Sequence, residues 1–205
     1  GNDTINASAG FNNISGEGGD DTINGGGDAE QLSGGAGNDI IHAGAGLDLI
    51  YMGESDQGTT ETIDGGADAD QLQLGGETAN ASFVLYNDTI NSIEGLVLAS
   101  NIGAGAFITV NFFASQIGAG FANNLTVIGS AANDDLNISQ NGSGAINLSA
   151  WTFQSWDGLD IIQVNGGALN DTITGSTQRD DILGYDGNDT LTGGGGNDSL
   201  DGGLG

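Results

Sequence analysis

The sequence contains no cysteine and no proline, and its only basic side chain is Arg179. Without cysteine the chain can form neither disulfide bonds nor zinc–thiolate sites. A single basic residue against 28 acidic ones gives a formal net charge of −27. Such a chain cannot neutralise phosphates, so nucleic acid is excluded as a partner. The charge also disfavours an anionic membrane surface, and no apolar run is long enough to span a bilayer.

What the sequence does contain is glycine: its 40 glycines recur with acidic residues in a nine-residue pattern. The pattern reads G-G-x-G-x-D-x-U-x, where U is aliphatic, and it is clearest at 34–42 and 193–201. One array covers 1–73, with four extra residues at 52–55, and a second covers 166–205. Position eight is Ile or Leu in all twelve copies, namely Ile5, Ile14, Ile23, Leu32, Ile41, Ile50, Ile63, Leu72, Ile173, Ile182, Leu191 and Leu200.

The polar residues on either side of position eight predict a very short strand whose aliphatic side chain points into a core. The glycine-rich residues before each strand predict a tight turn, because glycine tolerates the backbone angles that such turns need. If two nonapeptides make one coil, residues two repeats apart stack above one another. The pattern therefore predicts an all-β fold, a parallel β-roll with two short strands in each coil.

Position six of the pattern carries an acid in every copy except one, which makes it the candidate metal-ligating position. Calcium takes roughly 6–8 oxygen ligands from carboxylates and carbonyls. Two carboxylates from successive coils would neutralise one ion, and turn carbonyls would complete its shell. The predicted side-chain ligands form four rows: Asp3, Asp21, Asp39 and Glu61; Asn12, Glu30, Asp48 and Asp70; Asp171 and Asp189; Asp180 and Asp198.

These repeats resemble the RTX (repeats-in-toxin) family of calcium-binding nonapeptides. The resemblance implies a right-handed parallel β-roll, or β-solenoid, with several Ca²⁺ ions bound at its turns. It also implies calcium-driven folding outside the cell after export by a type I secretion system. Turn residues expected to contribute to the ion sites are Gly16, Gly18, Gly19, Gly34, Gly35, Ala36, Gly37, Gly44, Gly46, Gly184, Asp186, Gly187, Gly193, Gly194, Gly195 and Gly196.

Some copies depart from the pattern of the family. Asn12 is neutral where an acid is expected, and Asp28 stands where a glycine is expected. In the copy at 175–183, Gln178 replaces a glycine and Arg179 directly precedes the acid. We expect weaker or empty calcium sites at these copies.

Between residues 74 and 165 the glycine–aspartate pattern disappears, but strand-like segments remain. An eroded copy at 129–137 keeps Asp134 at position six and Leu136 at position eight. We predict that the solenoid continues here with longer strands and a hydrophobic core in place of calcium; a separate β-sandwich between two rolls is the alternative. The predicted division is array 1 at 1–73, the strand-rich middle segment at 74–165 and array 2 at 166–205. The strand-like segments are 82–86, 95–98, 107–112, 125–128 and 161–164.

No catalytic residue and no binding site for an organic cofactor is predicted. The only histidine, His42, lies at position nine, where its side chain is expected to face solvent, and no G-x-S-x-G elbow occurs. Paired acids such as Asp180 and Asp181 could suggest glycosidase chemistry, but the repeat register already assigns one of each pair to calcium. We therefore expect that the chain is not an enzyme.

Two tryptophans, Trp151 and Trp156, lie close together in the middle segment. If exposed, they could stack on sugar rings; if buried, they belong to the core. We favour the core, because the middle segment lacks the calcium ligands that would otherwise stabilise it.

The sequence thus predicts a calcium-binding module of a secreted or cell-surface bacterial protein, with a structural, spacer or adhesion role. One alternative is an accessory module of a secreted enzyme that acts on polysaccharide, lipid or protein, with catalytic residues outside these 205 residues. Another is a middle segment that binds carbohydrate or a cell-surface partner. The chain begins and ends inside a repeat, so we expect further repeats to flank it in a longer protein.

Overall fold

The computed structural model describes residues 1–57, 59–76, 80–100, 107–130, 133–142 and 144–205. These residues form short strands and two single 3₁₀ turns, Glu54–Asp56 and Ala114–Gln116. The strands are β1 (Thr4–Asn6), β2 (Asn12–Ser15), β3 (Thr22–Gly26), β4 (Glu30–Ser33), β5 (Ile40–Ala45), β6 (Leu49–Met52), β7 (Thr62–Ala67), β8 (Gln71–Gly76), β9 (Asn80–Val84), β10 (Thr89–Asn91), β11 (Ile93–Ser100), β12 (Phe107–Phe113), β13 (Phe121–Ile128), β14 (Asp134–Ser139), β15 (Ala145–Asn147), β16 (Thr152–Gln154), β17 (Ile161–Gly167), β18 (Thr172–Thr174), β19 (Asp180–Tyr185), β20 (Thr190–Thr192) and β21 (Ser199–Asp201).

The strands pair in parallel into four sheets, as a solenoid requires. The sheet orders are β1-β3-β5-β7-β10, then β2-β4-β6-β8-β11-β13-β16, then β9-β12-β14-β17-β19-β21, and last β15-β18-β20. In the first array odd-numbered strands form one sheet and even-numbered strands form the other. The predicted parallel β-roll with two strands in each coil is therefore confirmed.

Coil length follows the sequence register. Thr4 pairs with Thr22 and Thr172 pairs with Thr190, so a coil of the arrays contains two nonapeptides. The four extra residues lengthen one coil, because Ile40 pairs with Thr62. Their extra length lies between β6 and β7, where the chain makes the first 3₁₀ turn. The strands on either side keep their register, so the acids of the next copies still stack on those before.

The solenoid continues through the middle segment. Parallel pairing of β8 with β11 connects array 1 to the middle, and pairing of β17 with β19 connects the middle to array 2. The coils are wider here and contain up to three strands; for example, the coil that links Asp134 to Asp160 has 26 residues. Wider coils enclose more space, which aromatic side chains fill. The division into three domains stays a prediction.

The core runs along the axis of the solenoid. Eight of the position-eight residues are at most 2 % exposed, namely Ile23, Leu32, Ile41, Ile50, Ile63, Leu72, Ile173 and Ile182. Ile5, Ile14 and Leu191 pack against this core while partly exposed. For Leu200 the prediction of a core position is wrong: it is 45 % exposed, because its strand is the last of its ladder and no further coil covers it.

Aromatic residues form the core of the middle segment. Phe112 packs against Phe121 and Trp151, with ring centroids 5.2 and 6.3 Å away. Trp151 is 2 % exposed, which confirms its predicted place in the core, and Trp156 is half-buried beside Phe153. Asp134 and Leu136 of the eroded copy are buried as well. Residues 131 and 132 of that copy, and residue 58 of an earlier one, lie outside the described residues.

The repeat register also predicts which side chains face solvent. His42 is exposed, as its position predicts. Among the described residues, no helix has the length and apolar character that crossing a membrane would require.

Candidate metal centres

The position-six acids stack in columns along the solenoid, and backbone hydrogen bonds fix their spacing. The N–H of Asp21 donates to Oδ1 of Asp39 at 2.8 Å, and the N–H of Asp39 donates to Oε2 of Glu61 at 3.0 Å. Asp3 begins this column by donating its N–H to Oδ1 of Asp21 at 2.7 Å. Each carboxylate therefore has one oxygen held by the preceding coil.

The second column repeats the arrangement one strand further along each coil. Here the N–H of Glu30 donates to Oδ1 of Asp48 at 2.8 Å, and the N–H of Asp48 donates to Oδ1 of Asp70 at 2.9 Å. At its start, the side-chain amide of Asn12 donates to the carbonyl of Ser8 at 2.6 Å and contacts Glu30 at 3.5 Å. The side-chain amide of the neutral Asn12 is thus hydrogen-bonded locally.

The second oxygen of most of these carboxylates is buried and has no hydrogen-bond partner. Burying an unpaired carboxylate oxygen is costly, and native structures do so rarely unless something else occupies the site. A cation is the group that would offset this cost at so many equivalent positions. The unpartnered atoms are Asp21 Oδ2, Glu30 Oε2, Asp39 Oδ2, Asp48 Oδ2, Glu61 Oε1, Asp70 Oδ2, Asp171 Oδ1 and Asp189 Oδ2.

Burial and mutual repulsion raise the pKa of five of these acids in the absence of a counter-ion, namely Glu30, Asp39, Asp48, Glu61 and Asp70. Burial, together with repulsion from Asp39, raises the pKa of Glu61 to about 7. Burial, together with repulsion from Asp48 and Glu94, raises the pKa of Asp70 to about 6. A bound divalent cation would reverse both effects, because it favours the charged carboxylate.

A glycine at position one leaves room beside four of the unpartnered oxygens, those of Asp21, Asp39, Asp70 and Asp189. A β-carbon on Gly34 would lie 2.2 Å from Oδ2 of Asp39. A β-carbon on Gly16 would lie 2.3 Å from Oδ2 of Asp21 and 2.6 Å from the carbonyl oxygen of Gly34 in the next coil. Carboxylate and carbonyl oxygens thus converge on one small space, and an all-oxygen donor set of this kind fits calcium.

Glycine at position four serves a different purpose, which is close stacking of the turns. Gly37 has a φ of 145°, in the left-handed region where side chains are disfavoured. A β-carbon there would lie 2.1 Å from the carbonyl oxygen of Gly19 in the preceding coil. The turn backbones therefore stack without room for side chains between them.

Most of the turn residues expected to contribute to ion sites lie where the strands are connected. Two of them fall inside strands, Gly44 in β5 and Gly184 in β19. Gly18 forms an isolated parallel bridge with Ala36, which fixes one turn on the next. The remaining ones lie in the links between strands: Gly16, Gly19, Gly34, Gly35, Gly37, Gly46, Asp186, Gly187, Gly193, Gly194, Gly195 and Gly196.

The acids of the second array are not all alike. The N–H of Asp171 donates to Oδ1 of Asp189 at 2.9 Å, and each of these two acids keeps one unpartnered buried oxygen. The N–H of Asp180 donates to Oδ1 of Asp198 at 3.1 Å, and Asp198 is half-buried. Both oxygens of Asp180, however, accept hydrogen bonds from Ser176, so Asp180 offers no unpartnered oxygen.

No group of three or more His, Cys, Asp or Glu side chains converges within the described part of the chain. A column instead brings together two carboxylates at each step, one from each of two successive coils. Each ion site would therefore depend on two carboxylates supplemented by backbone carbonyls. That is the donor set proposed from the spacing of the repeats.

Sequence reasoning missed a second ladder, formed by position five. The N–H of Asp20 donates to the side-chain oxygen of Asn2 at 3.0 Å, and the N–H of Asn38 donates to Oδ1 of Asp20 at 2.9 Å. The N–H of Asn188 makes the same bond to Asn170 at 2.9 Å. The recurrent Asn or Asp directly before the position-six acid could have revealed it.

Sequence reasoning also missed two acids that prolong the columns beyond the repeats. The N–H of Glu61 donates to Oδ1 of Asp88 at 2.9 Å, and the N–H of Asp70 donates to Oε2 of Glu94 at 2.9 Å. Neither acid lies in a nonapeptide, so no sequence signal marks them. They stack on the columns because β10 and β11 continue the two sheets of array 1.

Comparison with known protein families agrees with this geometry. Residues 1–29, 25–56 and 165–200 match the RTX calcium-binding nonapeptide repeat, in four copies. Comparison with curated proteins and with solved structures found no match. In the matched segments, acid columns and glycine-rich turns coincide. The chain therefore carries, at residues 1–56 and 165–200, repeats of the RTX calcium-binding nonapeptide type.

Proposed function

We propose that this chain is a calcium-dependent structural module in which Ca²⁺ ions between successive coils hold the β-roll together. The observation that carries the proposal is the set of buried, unpartnered carboxylate oxygens along the acid columns. Four of them, on Asp21, Asp39, Asp70 and Asp189, lie beside a space that a position-one glycine keeps open. The proposed ligands are the position-six acids that keep an unpartnered oxygen, of which Asp21, Asp39 and Asp48 are fully buried.

The charge of the chain supports calcium-driven folding. A net charge of −27 opposes compaction through self-repulsion. Folding the arrays without metal would bring the position-six acids into columns and bury them, which raises the free energy of the folded state. The core of each repeat is one aliphatic side chain in nine residues. Burial of that side chain contributes too little free energy to offset the cost of burying the acids. Calcium bound to the acids would add its binding free energy to folding.

We propose a location outside the cell, in a secreted or cell-surface bacterial protein. Extracellular calcium-binding modules work at dissociation constants on the order of 10⁻⁴–10⁻³ M, a concentration range that a chain must leave the cytosol to meet. A module that stays unfolded until it meets such calcium is suited to export as an extended chain. A chain without cysteine also needs a stabilising element other than disulfides in that environment.

The proposed role is that of a stiff spacer or scaffold rather than an enzyme. A solenoid whose parallel sheets run from β1 to β21 is a rod of stacked coils, and its acids are used in columns that fit metal. The alternative of an accessory module next to a catalytic domain shares this chemistry and differs only in the neighbouring sequence. A sugar-binding role for Trp151 is not favoured, because its ring is buried against Phe112.

Calcium titration by calorimetry, with circular dichroism on the same samples, tests the proposed function. We expect several ions to bind for each chain and the β signal to rise over the same calcium range. Magnesium is the control cation, because it demands a tighter octahedral shell and loses its water reluctantly. Binding of magnesium with equal affinity, or no heat with calcium, would contradict the proposal.

A further inference from the structure

We propose that the calcium column extends one coil beyond the repeats, into a site formed by Asp70, Ser92 and Glu94. This site lies outside the residues that match the family, which end at 56 in the first array. The inference rests on the proposed function, because it assigns to a further site the same cation. Its particular claim is that residues of the middle segment, in no nonapeptide, serve as ligands.

Like the acids before it in the column, Asp70 has one carboxylate oxygen in a hydrogen bond and one without a partner. It is 0 % exposed, its Oδ1 accepts the N–H of Asp48 at 2.9 Å, and its Oδ2 is buried without a partner. Its own N–H donates to Oε2 of Glu94 at 2.9 Å. Glu94 thus takes the place of the next position-six acid, although it lies 24 residues further along instead of two nonapeptides.

Ser92 supplies the carbonyl that a glycine supplies in the repeats. A β-carbon on Gly65 would lie 2.2 Å from the carbonyl oxygen of Ser92 and 2.7 Å from Oδ2 of Asp70. In the repeats, a β-carbon on Gly16 would likewise lie between Oδ2 of Asp21 and the carbonyl oxygen of Gly34 in the next coil. Ser92 has a φ of 55°, a conformation that a serine adopts mainly where its surroundings impose it.

The chemistry of this site selects a hard divalent cation. All the donor atoms are oxygens, and the two carboxylates of Asp70 and Glu94 match the charge of one Ca²⁺ ion. Asp88 is the counterpart in the other column, since its Oδ1 accepts the N–H of Glu61 while Oε1 of Glu61 is left unpartnered. Both columns of acids therefore extend by one coil into the middle segment, where the repeat pattern is absent.

The test is the number of calcium ions bound by Glu94→Gln, measured by calorimetry and by equilibrium dialysis. Glutamine keeps an oxygen that can accept the N–H of Asp70, so the coil should fold, which circular dichroism at saturating calcium verifies. We expect one ion fewer than in the unmodified chain, or one ion bound at least about tenfold more weakly. Glu17→Gln is the matched control, because it removes the same charge from an exposed turn.

A second variant, Gly65→Ala, fills the space between the two oxygens and should lose the same ion. Unchanged ion number and affinity in both variants would overturn the inference while leaving the proposed function intact. If the unmodified chain binds no calcium at all, the proposed function fails first and this inference falls with it. The two failures are therefore distinguishable in a single series of titrations.

A different observation leads to a second inference: in two coils a serine takes the place that calcium holds elsewhere. At Asp180, the N–H of Ser176 donates to Oδ2 at 2.8 Å, and the Ser176 hydroxyl lies 3.2 and 3.1 Å from Oδ1 and Oδ2. At Asp134, Ser130 makes the equivalent bonds, 2.6 Å from its N–H to Oδ2 and 3.0 Å from its hydroxyl to Oδ1.

Both serines stand four residues before their acid, at position two of a copy that reads G-S-x-x-x-D-D. Neither acid has an unpartnered buried oxygen, whereas eight other oxygens of the columns do. We infer that Asp134 and Asp180 are held by hydrogen bonds alone and bind no ion through their second oxygen. Asp160 continues this metal-free ladder, since its Oδ1 accepts the N–H of Asp134 at 2.8 Å and its Oδ2 accepts the N–H of Asp157.

Comparison of Asp180→Asn with Asp189→Asn tests this inference inside the second array. Asp189 keeps an unpartnered Oδ2, so its variant should bind fewer calcium ions than the unmodified chain. The Asp180 variant should bind the same number as the unmodified chain. Equal ion numbers in the two variants, whether both reduced or both unchanged, would overturn the inference.

Discussion

Replacing Glu61 with glutamine should have opposite effects on stability with and without calcium. The Glu61 carboxylate is 3 % exposed, accepts the N–H of Asp39 through Oε2, and leaves Oε1 unpartnered. Glutamine retains an oxygen for the N–H of Asp39 but removes the charge. In excess chelator the variant should therefore be more stable than the unmodified chain, and in saturating calcium it should be less stable.

The magnitude without calcium follows from the pKa of the group. Burial raises the pKa of Glu61 from 4.5 to about 7, so the folded state loses stability as the pH rises from the unfolded pKa through the folded one. One pKa unit corresponds to about 1.4 kcal/mol, so the charge costs about 3 kcal/mol at pH 8. The Glu61→Gln variant should gain about that amount at pH 8 and less than about 1 kcal/mol at pH 5.

With calcium bound the sign reverses. The ion site then loses one of its two carboxylates, and removing one partner of a buried ion pair costs about 3–5 kcal/mol. Urea unfolding followed by circular dichroism, at pH 5 and pH 8, with chelator or with calcium, measures all four values. Glu17→Gln, at an exposed position, is the control and should change none of them appreciably. Destabilisation of Glu61→Gln by the same amount in chelator and in calcium would refute the reasoning.

Three further variants probe separate parts of the structure. Gly34→Ala should weaken calcium binding by at least about tenfold, or about 1.4 kcal/mol, because its β-carbon would lie 2.2 Å from Oδ2 of Asp39. Gly27→Ala is the control, because a β-carbon on Gly27 would meet no atom within 4 Å. The calorimetric titration of this control should be unchanged. Asp39→Ala should raise the calcium midpoint of folding more than Asn12→Ala, since it removes a carboxylate that two successive coils share; equal shifts would count against paired ligation. Trp151→Ala should destabilise the chain by about 3–5 kcal/mol in denaturant titrations, by a similar amount with and without calcium, because its ring packs in the aromatic core; a loss confined to calcium-bound samples would contradict this.

The periodic parts of the chain could be predicted because one constraint repeats there without change. With two nonapeptides in each coil, Ile23 must stack on Ile5 and Asp39 on Asp21, and the pairing of β1, β3 and β5 shows this register. Even the four extra residues were identifiable, because the pattern resumes after them with Ile63 in the core.

What could not be predicted depends on stacking between residues at irregular separations. Asp88 lies 27 residues from its partner Glu61, and Glu94 lies 24 residues from Asp70. Where the coil widens around aromatic side chains, sequence spacing no longer identifies the next residue in a column. Only the pairing of the strands brings these acids together.

The hydrogen bonds from Ser130 to Asp134 and from Ser176 to Asp180 could not be predicted for another reason. Ser176 occupies position two, where the pattern has glycine, and a serine there gives no indication by itself of what its hydroxyl contacts. The effect on Asp180 becomes visible only when the hydrogen bonds are known. Position six therefore predicts where a carboxylate lies, while the serines at position two, Ser130 and Ser176, satisfy the carboxylates of Asp134 and Asp180.

The buried acid columns are proposed to hold calcium, and the fold of the arrays is proposed to depend on it. The most direct measurement is calcium titration of the full chain by calorimetry, with circular dichroism recorded at each step from excess chelator to saturation. We expect several ions to bind and β structure to form over the same range of calcium concentration. An identical β signal in excess chelator and in saturating calcium would contradict it.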